Sequence, residues 1–215
     1  MRKGFEKQLE ELNMEIIKMG ALCEKAILGT TKALFQGDDT YIEKCRLVEE
    51  EIDKSERDIE NLCMGLFIKQ QPVASDLRNI SSALKMISDM ERIGDHAADI
   101  SEMTIFMGKG QHDANLSHIN KMASETVLML NWSIEAYIER DKVKAEDVIA
   151  HDDIVDSLFD ETKKDIISLI HENPKDGEEA TDLLMVAKYF ERIGDHATNI
   201  GEWVIYSLKK SEDEM

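Results

Sequence analysis

The string Glu-Arg-Ile-Gly-Asp-His-Ala occurs at Glu91–Ala97 and again at Glu191–Ala197, and the likeness runs on from Ala-Asp-Ile-Ser-Glu to Thr-Asn-Ile-Gly-Glu. Carboxylates recur in it three and four residues apart. On a helix, at ~100° per residue, Glu91, Asp95, Asp99 and Glu102 stand one above another, as do Glu191, Asp195, Asn199 and Glu202. A second ladder lies upstream of each copy: Glu49, Asp53, Glu56 and Glu60 in the first half, Asp152, Asp156 and Asp160 in the second. Like charges four apart disfavour a helix by ~0.2–0.5 kcal/mol per pair. An ordinary solvated face interleaves Lys or Arg at such positions. Two acid ladders on adjacent helices form a row of oxygen donors, the chemistry that suits hard or borderline cations such as Mg²⁺, Mn²⁺ and iron. His96 and His196 could add a nitrogen ligand, which would favour iron, zinc or nickel.

The elements that must hold these residues are helices. Two prolines, few aromatics, 42% hydrophobic and 33% charged residues are the composition of a helical protein. Periodicity predicts six helices, over about 5–35, 40–69, 75–107, 116–139, 144–171 and 178–208. Breaks are expected at Gln36-Gly37-Asp38-Asp39, at Gln71-Pro72, in the junction Gly108–Asn115 and at Asn173-Pro174. Each half therefore reads as three long antiparallel helices. The expected fold is all-α, two tandem three-helix bundles from internal duplication, with repeats at 1–110 and 111–215. A 30-residue helix spans ~45 Å.

Met86, Met90, Ile93, Ala97, Ile100 and Thr104, and Val186, Phe190, Ile193, Ala197, Ile200 and Val204, form apolar stripes at alternating spacings of four and three. They are expected in the core. The acids fall on the opposite side. Gly94 and Gly194 cost a helix ~1 kcal/mol each relative to alanine, which close approach of a neighbouring helix, or else of the neighbouring ligand cluster, explains. Arg92 and Arg192 can reach Asp95 and Asp195.

The net charge of −19 argues against nucleic-acid binding, which depends on Lys and Arg at phosphates, and favours cationic partners. No apolar stretch approaches the ~20 residues of a membrane helix, and no signal-peptide core follows Arg2 and Lys3. A cytoplasmic protein, not membrane-embedded, is expected. Cys23, Cys45 and Cys63 lack CxxC spacing and are expected to be buried or partly buried free thiols in a reducing compartment. No Glu-x-x-His, P-loop or nucleophile elbow occurs, His112-Asp113 lies in the junction and His151-Asp152 has no repeat counterpart, so an enzyme is not expected.

With Gln-Pro-Val-Ala-Ser-Asp-Leu-Arg at 71–78, the tandem bundles and the doubled motif resemble the PhoU family of phosphate-signalling regulators, over nearly the whole chain. The resemblance implies a negative regulator of phosphate uptake and of the phosphate-starvation response. It implies an adaptor between the ATPase subunit of a phosphate ABC transporter and a phosphate-sensing histidine kinase, often homodimeric. It also implies multinuclear iron or zinc clusters on Glu/Asp-x-x-x-Asp motifs. These map to Glu49 and Asp53 with Glu91, Asp95 and Asp99, and to Asp152 and Asp156 with Glu191 and Asp195. Asn199 stands where Asp99 does, so the second set has one carboxylate fewer. A metal-free helical adaptor and a metal-dependent hydrolase or oxidase are the alternative readings.

Overall fold

The apolar stripes dictate how the chain packs. In the computed structural model, which describes residues 2–36, 40–69, 73–105 and 117–209, six long helices follow one another. They are α1 (Arg2–Gln36), α2 (Thr40–Lys69), α3 (Ala74–Met103), α4 (Ser117–Glu139), α5 (Lys142–Glu172) and α6 (Gly177–Leu208), with a 3₁₀ turn at Pro174–Asp176. The breaks expected at Gly37, at Pro72 and across Gly108–Asn115 lie outside the described residues, as do the last two residues expected in α3 and the expected start of α4 at Leu116.

The start of α5 differs from the sequence expectation for a local reason. α5 begins at Lys142 rather than Lys144 because the Asp141 carboxylate accepts hydrogen bonds from the backbone N–H of Val143 (2.9 Å) and Lys144 (3.1 Å). The α4–α5 connection is then only Arg140 and Asp141, with Arg140 at φ 56°, a left-handed conformation that closes the turn.

α1, α2 and α3 form one three-helix bundle and α4, α5 and α6 another. The bundles join along α3–α6, the most extensive helix pairing among the described residues, and along α1–α4. Their cores merge: Ile16 and Ile27, Ile52 and Ile59, Ile87 and Ile93, Met129 and Leu130, Val148 and Val155, and Phe190 and Ile193 are buried in one contiguous cluster. Each such side chain contributes about 1.5–3 kcal/mol on burial, so the seams of α3 and α6 outweigh the intrinsic cost of their central glycines. All stripe residues are buried except Thr104, which is half-buried at the end of α3.

Gly94 is explained by packing. A Cβ there would stand 2.9 Å from Ile52 Cδ1 and 3.2 Å from its Cγ2, so its absence lets α2 lie against α3. At Gly194 a Cβ would stand 3.3 Å from Asp152 Oδ1 and 3.4 Å from Val155 Cγ1. This glycine brings α5, and an acidic side chain with it, onto α6. The three cysteines are buried free thiols, and the Cys23 thiol donates to the Met90 carbonyl at 3.3 Å.

Candidate metal centre

Close contact between α2 and α3 at Gly94 brings their acid ladders edge to edge. Glu49 and Asp53 of α2 and Asp95 of α3, all half-buried, each offer an oxygen within 4.8 Å of the other two. Oxygens on opposite sides of one cation, at bond lengths of ~2.0–2.4 Å, are separated by ~4–5 Å, so this donor set fits one hard cation. Among the described residues no other His, Cys, Asp or Glu triad is so close.

The electrostatics agree with the geometry. Burial raises the Glu49 carboxyl above its ordinary range, and the charges of Asp53 and Asp95 add to the shift. Glu91, one turn before Asp95, is raised by burial and by Asp95. Asp95 is raised by burial even though Arg92 opposes the shift with a 3.1 Å hydrogen bond. Arg57 lies 3.5 Å from Asp53. Two exposed arginines thus offset only part of the repulsion, and a cation would remove the rest.

Two other acids of the ladders are drawn elsewhere. Glu56 accepts a hydrogen bond from Ser88 at 3.1 Å, and Asp160 pairs with Lys163. In the second bundle, Asp152, Asp156, Glu191 and Asp195 sense one another's charge, but Lys188 clamps the Glu191 carboxylate. The second set does not reproduce the tight triad of the first. Burial pushes Asp152 up to about 6, with the charges of Asp195 and Asp156 acting in the same direction.

That shift has a sign. A carboxyl raised on folding contributes stability that is fully present below its unfolded pKa and is lost as pH rises through the folded value. Asp152→Asn should therefore melt above the wild type at pH 7.5 in metal-free buffer. The advantage should shrink through pH 6 and vanish near pH 4. Melting curves of both proteins across that range check it, and a pH-independent difference would contradict the charge explanation.

The remaining candidates lie on another face. Asn199 donates its amide to Asp89 Oδ1 at 3.1 Å, away from the acids of α5. The same carboxylate takes His196 Nδ1 at 2.9 Å and the Trp203 indole N–H at 3.0 Å. Asp99 lies 3.8 Å from His96 Nδ1, and burial and then the Asp99 charge raise the Tyr189 hydroxyl above its ordinary range. The His96 ring sits between those of Tyr189 (5.5 Å) and His196 (5.4 Å). Burial holds the His96 imidazole below its ordinary range, with His196 acting in the same direction. Both histidines, Asn199 and partly Asp99 thus belong to the seam between bundles. Asp89 and Tyr189, at matching places in α3 and α6, anchor its two ends. Neither was a candidate on sequence grounds; the signal was that Asp89 and Tyr189, like Met103 and Trp203, differ between otherwise similar copies.

The sequence model of the PhoU domain matches the chain twice, over residues 16–104 and 119–204. A phosphate-specific transport system accessory protein PhoU homolog of Clostridium acetobutylicum is 38% identical over 208 residues, covering 96% of this chain and 95% of that relative. The homolog of Aquifex aeolicus is 36% identical over 186 residues, covering 86% and 84%. The crystal structure of PhoU from Pseudomonas aeruginosa superposes with a TM-score of 0.89 at 29% identity, over 95% of this chain and 98% of that one.

Proposed function

The chain belongs to the PhoU family, and on that premise we propose that it is a cytoplasmic negative regulator of phosphate uptake and of the phosphate-starvation response. It acts as an adaptor between the ATPase subunit of a phosphate ABC transporter and a phosphate-sensing histidine kinase, working as a homodimer. The relatives' role as accessory proteins of a phosphate-specific transport system supports this reading. The protein is regulatory rather than an enzyme, as those relatives are. None of its described helices is long and apolar enough to cross a membrane. We take residues 1–110 and 111–215 as the two repeat units.

The metal part of the proposal is carried by one observation, the Glu49–Asp53–Asp95 triad. Glu49, Asp53 and Asp95 hold the cation, with Glu91 beside them; iron or zinc is favoured and Mg²⁺ or Mn²⁺ can be accommodated. A bound cation supplies the positive charge this cluster lacks and ties α2 to α3. The second acid set, Asp152, Asp156, Glu191 and Asp195, binds more weakly.

Cells lacking the protein should express phosphate-starvation genes in phosphate-replete medium, and the wild-type chain should silence them again. Low expression in the deletion strain would overturn the regulatory reading. Silencing by a variant without the triad would favour the metal-free adaptor.

A further inference from the structure

The first bundle carries a groove where its duplicate is filled. The burial pattern fixes the correspondence: Ile16 answers Ile119, Cys23 answers Thr126, Ile27 answers Leu130 and Leu34 answers Tyr137, each pair buried. In that register Gly29 of α1 answers Trp132 of α4, and Val48 of α2 answers His151 of α5. Trp132 packs on the core and meets the His151 ring edge-on, centroids 5.1 Å apart. Gly29 has no side chain, and only Cys45 Sγ, at 3.0 Å, comes within 4 Å of a Cβ placed there. A groove of about 350 Å³ results between α1 and α2, floored by Leu28, Cys45 and Val48. That is near the lower limit for ligand pockets, roughly 300 Å³, and is room for one or two large side chains.

The rim is changed as well. Glu135 and Asp147 in the second bundle are answered by Lys32 and Lys44 in the first, and Leu128 by Lys25. Lys32 and Lys44 place their ammonium groups 6.0 and 4.6 Å from the centre of the Tyr41 ring. Among the described residues neither pairs with a carboxylate, and Glu24 is the one acid on the rim. This is a cationic island in a chain of net charge −19. Its floor leaves Leu28 44% exposed, at a cost in water that burial against a partner would remove. The duplicate shows that the fold accommodates a filled slot and a rim in which Glu135, paired with Lys144, and Asp147 stand where Lys32 and Lys44 do, so bundle packing does not require the opening.

We propose that this groove is a docking slot for an acidic segment of a partner protein, which inserts one large apolar side chain between α1 and α2. Carboxylates flanking that side chain pair with Lys25, Lys32 and Lys44, and the acidic remainder of the surface repels the same segment elsewhere. The slot is separate from the carboxylate triad and does not depend on the metal.

The test is a random peptide-display library panned on the purified full chain, followed by affinities of the best synthetic peptides. Peptides with Trp, Phe or Leu beside Asp or Glu should be recovered. Their binding should weaken about tenfold or more in Gly29→Trp and in Lys32→Glu/Lys44→Glu. The second variant alters only exposed side chains, which covers a failure of Gly29→Trp to fold around Cys45. Recovery of no acidic peptide, or equal binding to wild type and the lysine variant, would overturn the proposal. So would binding of anionic phosphatidylglycerol vesicles in place of any peptide, lost in the same variant.

Discussion

Asp89→Ala should destabilise the protein by about 2–4 kcal/mol, because three polar groups lose their only shared acceptor. The Asp89 carboxylate is 14% exposed and receives His196, Asn199 and Trp203 of α6. Hydrogen bonds to a charged group contribute about 1.5–3 kcal/mol each, and a donor left without a partner in a half-dry seam costs about 1–3 kcal/mol. Part of this is recovered when water enters, which keeps the total below the sum. For a chain of this size the melting temperature should fall by about 5–12 °C. Asp89→Asn should fall between, since its amide keeps one acceptor oxygen. Tyr189→Phe, which removes the hydroxyl that senses the Asp99 charge at the other end of the seam, should cost at most about 1 kcal/mol. Asp58→Ala on the exposed face of α2 should change stability by less than about 0.5 kcal/mol. Thermal melts of the four variants would show the pattern; a loss at Asp89 no larger than at Asp58 would mean that the seam is held by apolar contact alone.

The six helices and their buried stripes were legible because helical periodicity is local: Met86, Met90, Ile93, Ala97 and Ile100 share a face whatever lies opposite. Gly94 was legible for a related reason, since a glycine recurring inside a strong helix pattern needs a close neighbour, and Ile52 is that neighbour. The sorting of polar residues was not. One sequence gives angles around a helix but not which neighbour stands at each angle, and α3 has three: the core, α2 and α6. Asp95 lies on the α2 side, whereas His96, one residue on and ~100° round, faces α6. Position 89 shares that face, seven residues earlier, and Trp203 stands seven residues after His196. Because Asn199 aligns with Asp99, the motif itself suggested a ligand where the structure has a bond to Asp89. That the two acid sets differ was legible at Asn199, but the part of the difference that depends on Lys188 reaching Glu191 was not.

The other large effect has two parts of opposite sign. Asp53→Asn/Asp95→Asn should raise the melting temperature of metal-free protein by a few degrees, because it removes carboxylates that repel one another and Glu49. The same variant should lose at least about a hundredfold in affinity for a divalent or trivalent cation, since changes merely adjacent to a metal's ligands already cost about 10–100-fold. A cluster kept for solubility would show neither the gain nor the loss. One kept only to pair Arg57 and Arg92 would show a loss of stability in metal-free buffer instead.

Metal content decides the matter most directly. Wild-type protein, Asp53→Asn/Asp95→Asn and Asp152→Asn/Asp195→Asn, each equilibrated with iron or zinc and then desalted, should be assayed by elemental analysis. Metal should remain on the wild type and on the second-set variant and be absent from the first. Equal metal on all three proteins, or its loss only when Asp152 and Asp195 are changed, would show that Glu49, Asp53 and Asp95 are not the site.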